Sequence, residues 1–168
     1  MKLKLLLLWL LSLVPINPLF AAEHHYWGIS YALTTLGASS NAEEAAPTAI
    51  LGKLGQRLDD RYAVEGRFGL GVLDDSVSAV DVSIDSLMGV YLLRYLPMNN
   101  TASLYGILGY TQAEVTTSPV GPSQSTRKNG VSFGIGADLG SINIEFIQYL
   151  DENDFDINAV SVGYTAKF

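Results

Sequence analysis

The sequence contains no cysteine and only two histidines, His24 and His25. Without cysteine, neither a disulfide framework nor a thiolate metal site can form. The two histidines are adjacent, and adjacent side chains of a strand point to opposite faces, so they do not make a metal-ligand pair. No serine or aspartate is arranged locally with them as a catalytic dyad. We therefore predict that the protein is not an enzyme, with no catalytic residue, no metal site and no cofactor.

Basic residues are scarce as well. The chain has 10 Lys and Arg against 17 Asp and Glu, which gives a formal net charge of −7. If residues 1–22 are removed, Lys2 and Lys4 leave with them, so 8 basic residues remain against 17 acidic ones and the net charge becomes −9. A nucleic-acid partner is excluded by this balance, because such partners are bound through basic surfaces.

The start of the chain has the order of a secretory signal peptide. Two lysines, an apolar run, two prolines and two small residues follow one another: Lys2, Lys4, residues 5–14, Pro15, Pro18, Ala21 and Ala22. The apolar run is about half the length that a helix needs to cross a bilayer. We predict a signal peptide over residues 1–22, cleaved after Ala22, and one domain over residues 23–168.

Beyond residue 22, no apolar run is long enough to span a membrane as a helix, although 48% of all residues are hydrophobic. Segments of about ten residues with alternating polarity, separated by turns, are instead typical of membrane-spanning strands. Eight are predicted, at residues 24–35, 48–58, 61–72, 84–96, 102–114, 130–139, 141–150 and 155–168. The long connections, 36–47, 73–83 and 115–129, alternate with short ones. Outer-membrane barrels have this asymmetry, with long extracellular loops and short periplasmic turns.

Side-chain alternation predicts which face of each strand meets lipid. In the third strand, Tyr62, Val64 and Phe68 share one face, while Glu65 and Arg67 share the other. The fourth strand is apolar on both faces; a buried helix is the alternative there, and Gly89 weakens it. An eight-stranded barrel is narrow enough to be filled by side chains. We predict a lumen plugged by a polar network of paired charges: Lys53, Arg57, Glu65, Arg67, Asp138 and Glu145.

Several aromatic residues fall near the predicted periplasmic ends of the strands. Trp27, Tyr62 and Tyr95 are predicted to belong to an aromatic girdle at the membrane interface, together with Tyr164 and Phe168. Ordinary core aromatics are the alternative for each residue taken singly.

The chain resembles the OmpA/OmpX/opacity-type outer-membrane β-barrel domains. The resemblance covers residues 23–168 and rests on motifs at 65–69 (EGRFG), 104–110 (LYGILGY), 133–136 (FGIG) and 161–168 (SVGYTAKF). It implies an all-β fold, an eight-stranded antiparallel up-and-down transmembrane β-barrel preceded by a cleavable signal peptide. It also implies that the outer-membrane assembly machinery reads the aromatic C-terminal strand, with Tyr164 and Phe168 as the assembly signal.

These expectations together predict a non-enzymatic integral protein of the bacterial cell outer membrane, exported from the cytoplasm. Its role would be structural or one of surface interaction, adhesin-like, through extracellular loops. The expected partners are outer-membrane lipids, lipopolysaccharide and the assembly machinery, and the expected state is a monomer. Two alternatives stay open: a lipid-modifying enzyme of the outer membrane, and a soluble periplasmic barrel of lipocalin type that binds an apolar ligand. Transport of a porin-like kind does not follow, because narrow barrels need not be pores.

Overall fold

The computed structural model describes residues 25–37, 45–77, 80–99, 101–118, 124–152 and 155–168. The predicted signal peptide, residues 1–22, lies outside the described residues. Within the described residues, no helix is long and apolar enough to cross a membrane. The described chain forms nine strands: β1 (His25–Gly37), β2 (Thr48–Arg57), β3 (Tyr62–Leu73), β4 (Asp75–Val77), β5 (Val80–Pro97), β6 (Ala102–Ser118), β7 (Gln124–Leu139), β8 (Ile142–Glu152) and β9 (Phe155–Lys167).

All strands belong to one antiparallel sheet that closes on itself. The neighbours run β3-β2-β1-β9-β8-β7-β6-β5, and β5 pairs back to β3. β4 continues the direction of β3 and pairs with β5 alone, so the barrel has eight strands. The first and last strands, β1 and β9, are joined by twelve residue pairs. The predicted eight-stranded antiparallel barrel is therefore confirmed, and closure gives each of the eight described strands a pairing neighbour on both sides.

Three tight turns define one end of the barrel, which we call the short-turn end. Between β2 and β3, Asp59 Oδ1 accepts hydrogen bonds from the amides of Arg61 and Tyr62 at 2.7 and 2.6 Å. Between β5 and β6, Asn99 Oδ1 accepts from the amides of Thr101 and Ala102. Between β7 and β8, Gly140 takes a φ of 67°, which side chains other than glycine rarely adopt. These three turns fix the register of the hairpins that they connect.

At the opposite end, which we call the hairpin end, three strands are longer than a membrane requires. β5, β6 and β7 have 18, 17 and 16 residues, whereas about ten suffice to cross a bilayer. The described parts of segments 73–83 and 115–129, which the sequence predicts as loops, are mostly strand. The prediction was wrong because it placed strand ends where apolar alternation stops, although threonine- and serine-rich segments also pair as strands.

The wall has an apolar outside. Val90, Leu92 and Met88 of β5 are 62, 42 and 43% exposed, while Leu87 and Tyr91 of the same strand are 1% exposed. β5 is apolar on both faces because its inward residues meet an apolar part of the lumen. That part lies toward the hairpin end and consists of residues from five strands: Leu36, Ile84, Leu87, Val115, Ile147, Leu150 and Ile157. The segment 84–96 is thus a strand, as we expected. Toward the hairpin end, the lumen is filled by apolar side chains.

Candidate functional site

Four charged side chains meet inside the barrel and are at most 6% exposed: Lys53 on β2, Glu65 and Arg67 on β3, and Glu145 on β8. Arg67 contacts both carboxylates, with Nη2 2.6 Å from Glu65 Oε2 and Nη1 2.7 Å from Glu145 Oε2. Lys53 Nζ lies 3.3 Å from Glu145 Oε1. Two cations and two anions make this group, which we call the lumen ion cluster, neutral in sum.

Aromatic side chains complete the lumen ion cluster. Tyr26 donates a hydrogen bond to Glu65 Oε1 at 2.7 Å, and Tyr105 donates one to Glu145 Oε1 at 2.8 Å. The guanidinium carbon of Arg67 lies 4.8 Å from the centroid of the Tyr91 ring. A buried charge is tolerated only when it is paired and its remaining hydrogen-bonding capacity is filled. The tyrosines meet that condition and tie several strands together across the lumen.

The cluster exists only in the closed barrel. Lys53 and Arg67 face each other in the β2–β3 register, and two adjacent cations repel. The carboxylate that bridges them, Glu145, comes from β8, which pairs with neither β2 nor β3. Inward-facing glycines provide the space, because a Cβ at Gly136 would overlap the ring of Tyr105. Sequence reasoning could name the charges, but not the strand that supplies the bridge.

A second set of polar groups lies beside the cluster and was not predicted. Tyr91 and Thr111 share a hydroxyl hydrogen bond of 2.6 Å, Thr111 bonds in turn to Ser132, and Ser132 donates to the Tyr149 carbonyl at 2.8 Å. None of these hydroxyls contacts a histidine, and no carboxylate accepts from them in the described structure. These hydrogen bonds connect the side chains of β5, β6 and β7 with the backbone of β8.

Arg57 and Asp138 lie apart from the lumen ion cluster, nearer the short-turn end. The Arg57 guanidinium carbon sits 3.6 Å from the centroid of the Tyr95 ring, and the Tyr95 and Tyr105 centroids are 4.9 Å apart. Asp138 lines a cavity of about 570 Å³ with Arg57. Neither residue has an ion-pair partner within 4.0 Å among the residues that the structure describes. Of the six predicted lumen residues, four are thus in mutual contact and two line the cavity below them.

The predicted girdle requires one correction, at Tyr95. Its side chain is 4% exposed and points into the lumen, so it is not an interface aromatic. The reason is strand parity: Leu93 and Tyr91, two and four residues away, also point inward. Trp27 is 43% exposed on the outer face, and Tyr62 is half-buried there.

The two residues of the suggested assembly signal lie on the outer face of the barrel. Tyr164 and Phe168 are 48 and 62% exposed. Trp27 and Tyr164 lie on adjacent strands with ring centroids 6.2 Å apart, and His25 stacks on Phe168 at 5.9 Å. His25, one of the two histidines, is therefore packed on the ring of Phe168. The other histidine, His24, lies outside the described residues.

The long strands at the hairpin end carry polar side chains on their outer face. Arg127 Nη2 of β7 lies 2.7 Å from Glu114 Oε2 of β6, and Ser125 donates to the same carboxylate at 3.1 Å. The hydrogen bonds from Arg127 and Ser125 lower the pKa of Glu114, and the hydrogen bond to Glu114 raises the pKa of Arg127. We call β5 residues 80–86, β6 residues 112–118 and β7 residues 124–131 the strand extension.

One edge of the strand extension is open. β7 pairs with β6 from Gln124 to Leu139, but its pairing with β8 begins only at Phe133. In the described structure, residues 124–127 therefore have a strand neighbour on one side only. β8 turns away at an irregularity between Gln148 and Leu150 and continues its pairing with β9. Along residues 124–127, the edge of β7 that points away from β6 consequently has no strand beside it in the described structure.

The apolar outer wall, the closed ladder and the buried charges define an integral membrane β-barrel. Residues 6–168 match the family model described as outer membrane protein beta-barrel domain, so the chain belongs to that family. The protein is accordingly located in the bacterial outer membrane. This location removes the soluble lipocalin-type alternative, in which the apolar face would be directed inward. In such barrels the short turns are periplasmic and the longer connections extracellular.

Three solved structures have similar folds. Ail, the attachment invasion locus protein of Yersinia pestis, solved with the heparin analogue sucrose octasulfate, is 21% identical, with a TM-score of 0.61 over 86% of this chain and 99% of that one. Neisserial surface protein A is 10% identical, with a TM-score of 0.62 over 86% and 97%. The N-terminal barrel of Pseudomonas aeruginosa OprF is 11% identical, with a TM-score of 0.53 over 83% and 97%. A search of curated protein sequences gives no match.

Proposed function

We propose that this protein is a non-enzymatic outer-membrane barrel that uses its strand extension to bind another polypeptide at the cell surface. The observation that carries the proposal is the open edge of β7 at residues 124–127. Exposed strand edges pair readily with an extended segment of a partner, whose backbone supplies the missing hydrogen bonds. The name of the Yersinia pestis relative, attachment invasion locus protein, agrees with a role in surface contact.

The described interior supports the non-enzymatic part of the proposal. The charges of the lumen ion cluster and the hydroxyls of Tyr91, Thr111 and Ser132 are bonded within their own sets, and the apolar packing toward the hairpin end separates them from the outside. Among the described residues, no group of three or more His, Cys, Asp or Glu is placed to hold a metal ion. A lipid-modifying enzyme would need reactive groups that substrate can reach.

The charge of the strand extension argues for a partner other than a polyanion. Its charged residues are Asp81 and Asp85 of β5, Glu114 of β6, and Arg127 and Lys128 of β7, a formal sum of −1, and Glu114 already neutralises Arg127. The sulfated ligand of Ail is thus a poor guide to this chain. A neutral or basic extended peptide fits better.

The remaining expectations complete the proposal. We infer that residues 1–22 are a cleaved signal peptide, that the assembly machinery contacts Tyr164 and Phe168, and that the barrel is a monomer embedded among membrane lipids and lipopolysaccharide. The exposure of both aromatic side chains on the outer face of the barrel supports a contact with the assembly machinery.

The first test asks whether the strand extension is outside the cell. Because the chain has no cysteine, single cysteines report their own location. Ser125→Cys should react with a membrane-impermeant maleimide on intact cells. The matched control, Ser141→Cys in a short turn, should react only after the outer membrane is permeabilised. Labelling of Ser141→Cys alone on intact cells would reverse the orientation and remove the proposal.

The second test asks whether the open edge binds. Successive backbone amides of a strand point to opposite edges, so of Ser125→Pro and Thr126→Pro one blocks the open edge and the other breaks the β6 pairing. Expressing cells are assayed for adhesion to epithelial monolayers and to one another. We expect the edge-blocking proline to abolish adhesion while leaving the heat-dependent gel mobility of the barrel unchanged. Wild-type cells that adhere no better than non-expressing cells, or that show an altered lipid A profile, would overturn the proposal.

A further inference from the structure

Among the described residues, one charged side chain stands on the apolar outer wall. Arg94 of β5 is exposed there, between Leu92 and Leu96, and its register neighbours are Tyr62 of β3 and Gly106 of β6. No residue in the described ranges forms a hydrogen bond or an ion pair with the side chain of Arg94. A cation that faces lipid without a protein partner needs its counter-charge from the membrane.

The position of Arg94 selects a headgroup in the periplasmic leaflet. It lies three residues before Pro97, where β5 ends at the short-turn end, and this corresponds to about 10 Å along the strand. A long arginine side chain at that depth can extend its guanidinium to the interface, where lipid phosphates lie. Tyr62, half-buried beside it, places an aromatic hydroxyl at the same level. A Cβ at Gly106 would meet nothing within 4 Å, so the other side of Arg94 is open.

A groove lies on the same wall, further from the short-turn end. Its volume is about 780 Å³, and its floor includes the outward-facing glycines Gly52 and Gly66, flanked by Leu54, Phe68 and Val90. Gly66 pairs with Val90, and Tyr62, four residues before Gly66, pairs with Arg94. The groove therefore starts about 13 Å along the strands from Arg94. Two neighbouring strands, β3 and β5, hold a cation at the interface and an apolar trough deeper in the membrane.

We propose that Arg94 and the glycine-floored groove form a binding site for one anionic phospholipid of the periplasmic leaflet. The guanidinium binds the phosphate with charge-assisted hydrogen bonds, and one acyl chain lies in the groove over Gly52 and Gly66. The spacing suits a lipid, because the chain leaves its headgroup at the interface and runs toward the middle of the bilayer. This site is on the outer wall and is independent of the strand extension.

Trp27 lines the groove, so its fluorescence reports what occupies it. With Trp9→Phe, Trp27 is the single tryptophan of the chain. Protein recovered from outer membranes is reconstituted in phosphatidylcholine vesicles that contain a minor fraction of phosphatidylglycerol with brominated acyl chains. We expect quenching that corresponds to about fivefold enrichment of phosphatidylglycerol around Trp27, the effect typical of one basic residue near a membrane surface.

Matched variants separate the site from general attraction. Arg94→Gln should reduce the enrichment to the bulk ratio, whereas Arg61→Gln, the same charge change in the adjacent turn, should retain it. Gly66→Leu fills the groove without a clash, since a Cβ there meets nothing within 4 Å, and should lower the enrichment. Ile144→Leu, on β8 across the barrel, should not.

Two results would overturn the proposal: no enrichment in the wild-type barrel, or equal enrichment in Arg94→Gln. Folding of each variant is verified by heat-dependent gel mobility. Should Arg94→Gln fail to fold, the wild-type protein still decides the question, because salt screens the attraction of a phosphate to an interfacial arginine. Enrichment that is unchanged by high salt would then contradict the proposal.

Discussion

Two arginine–glutamate pairs in this barrel have the same closest distance and different surroundings. Arg67 and Glu145 meet at 2.7 Å in the lumen, with side chains 1 and 2% exposed, and Arg127 and Glu114 meet at 2.7 Å on the strand extension, with side chains 62 and 31% exposed. In the lumen, removing one partner leaves the other charge buried with neither a counter-charge nor water to solvate it. On the extension, water replaces the lost partner. Distance alone therefore says little about what a pair contributes.

The strongest way to break the comparison is to remove Arg67. Arg67→Met leaves Glu65 and Glu145 with Lys53 as their only nearby cation, and we expect the free energy of unfolding to fall by about 3–5 kcal/mol. Urea unfolding in lipid vesicles, followed by gel mobility, measures the change. Arg61→Met, in the exposed turn, is the control and should leave the urea midpoint unchanged. A loss below about 1 kcal/mol for Arg67→Met would mean that water reaches the lumen ion cluster.

A smaller effect is expected when only a hydrogen bond to the cluster is removed. Tyr105→Phe deletes the hydroxyl that donates to Glu145 and keeps the ring, so the free energy of unfolding should fall by about 1.5–3 kcal/mol. The matched control is Tyr110→Phe on the same strand, whose ring is 54% exposed on the outer face. Equal losses for the two variants would show that burial of the acceptor is not what matters.

The smallest effect is expected at the exposed pair. Arg127→Gln should leave the urea midpoint within experimental error, because both side chains are solvated. The variant should nevertheless change the titration of Glu114, whose pKa the Arg127 hydrogen bond holds below its ordinary value of 4.5. We expect the pKa of Glu114 to rise toward 4.5 in Arg127→Gln, as followed by the carboxyl carbon shift in NMR.

The sign of the pH effect at Glu114 follows from that direction. A carboxylate with a lowered pKa in the folded state stabilises it above pH 4.5, and this contribution disappears as the pH falls through the lowered value. Opening of the β6–β7 pairing, measured by hydrogen exchange at the amides near Glu114, should therefore become easier in acid in the wild type and less so in Arg127→Gln. The opposite ordering would contradict the ion pair.

The strand pattern made the barrel predictable, since alternation in β3, β7 and β9 separates outward apolar from inward polar residues. Closure and strand number follow from the same alternation and the connection lengths. The strand extension could not be predicted in this way, because outside the membrane the outer face of a strand meets water and the alternation of apolar-out with polar-in is lost. Segments 115–118 and 124–129 are strands that lack this pattern, and for that reason they were predicted as loops.

The lumen was predictable as a set of charges but not as a set of contacts. Which carboxylate reaches Arg67 depends on the shear of the closed barrel, a long-range property that a local pattern does not contain. Tyr26, Tyr105 and Tyr91 were missed because aromatic residues in a membrane barrel suggest the interface first. Tyr95 was misplaced for the same reason, and strand parity relative to Tyr91 and Leu93 corrects it.

The pairing of β1 with β9 has a consequence for how the barrel forms. Gly28 and Thr165 are partners although about 140 residues separate them, so the seam closes a loop that contains the rest of the fold. Without β9, two strands, β1 and β8, would carry unpaired backbone into hydrocarbon at a cost of several kcal/mol per group. A chain that stops before β9 thus gains little from seven correct strands. Membrane insertion of the barrel therefore requires that β9 is present to pair with β1.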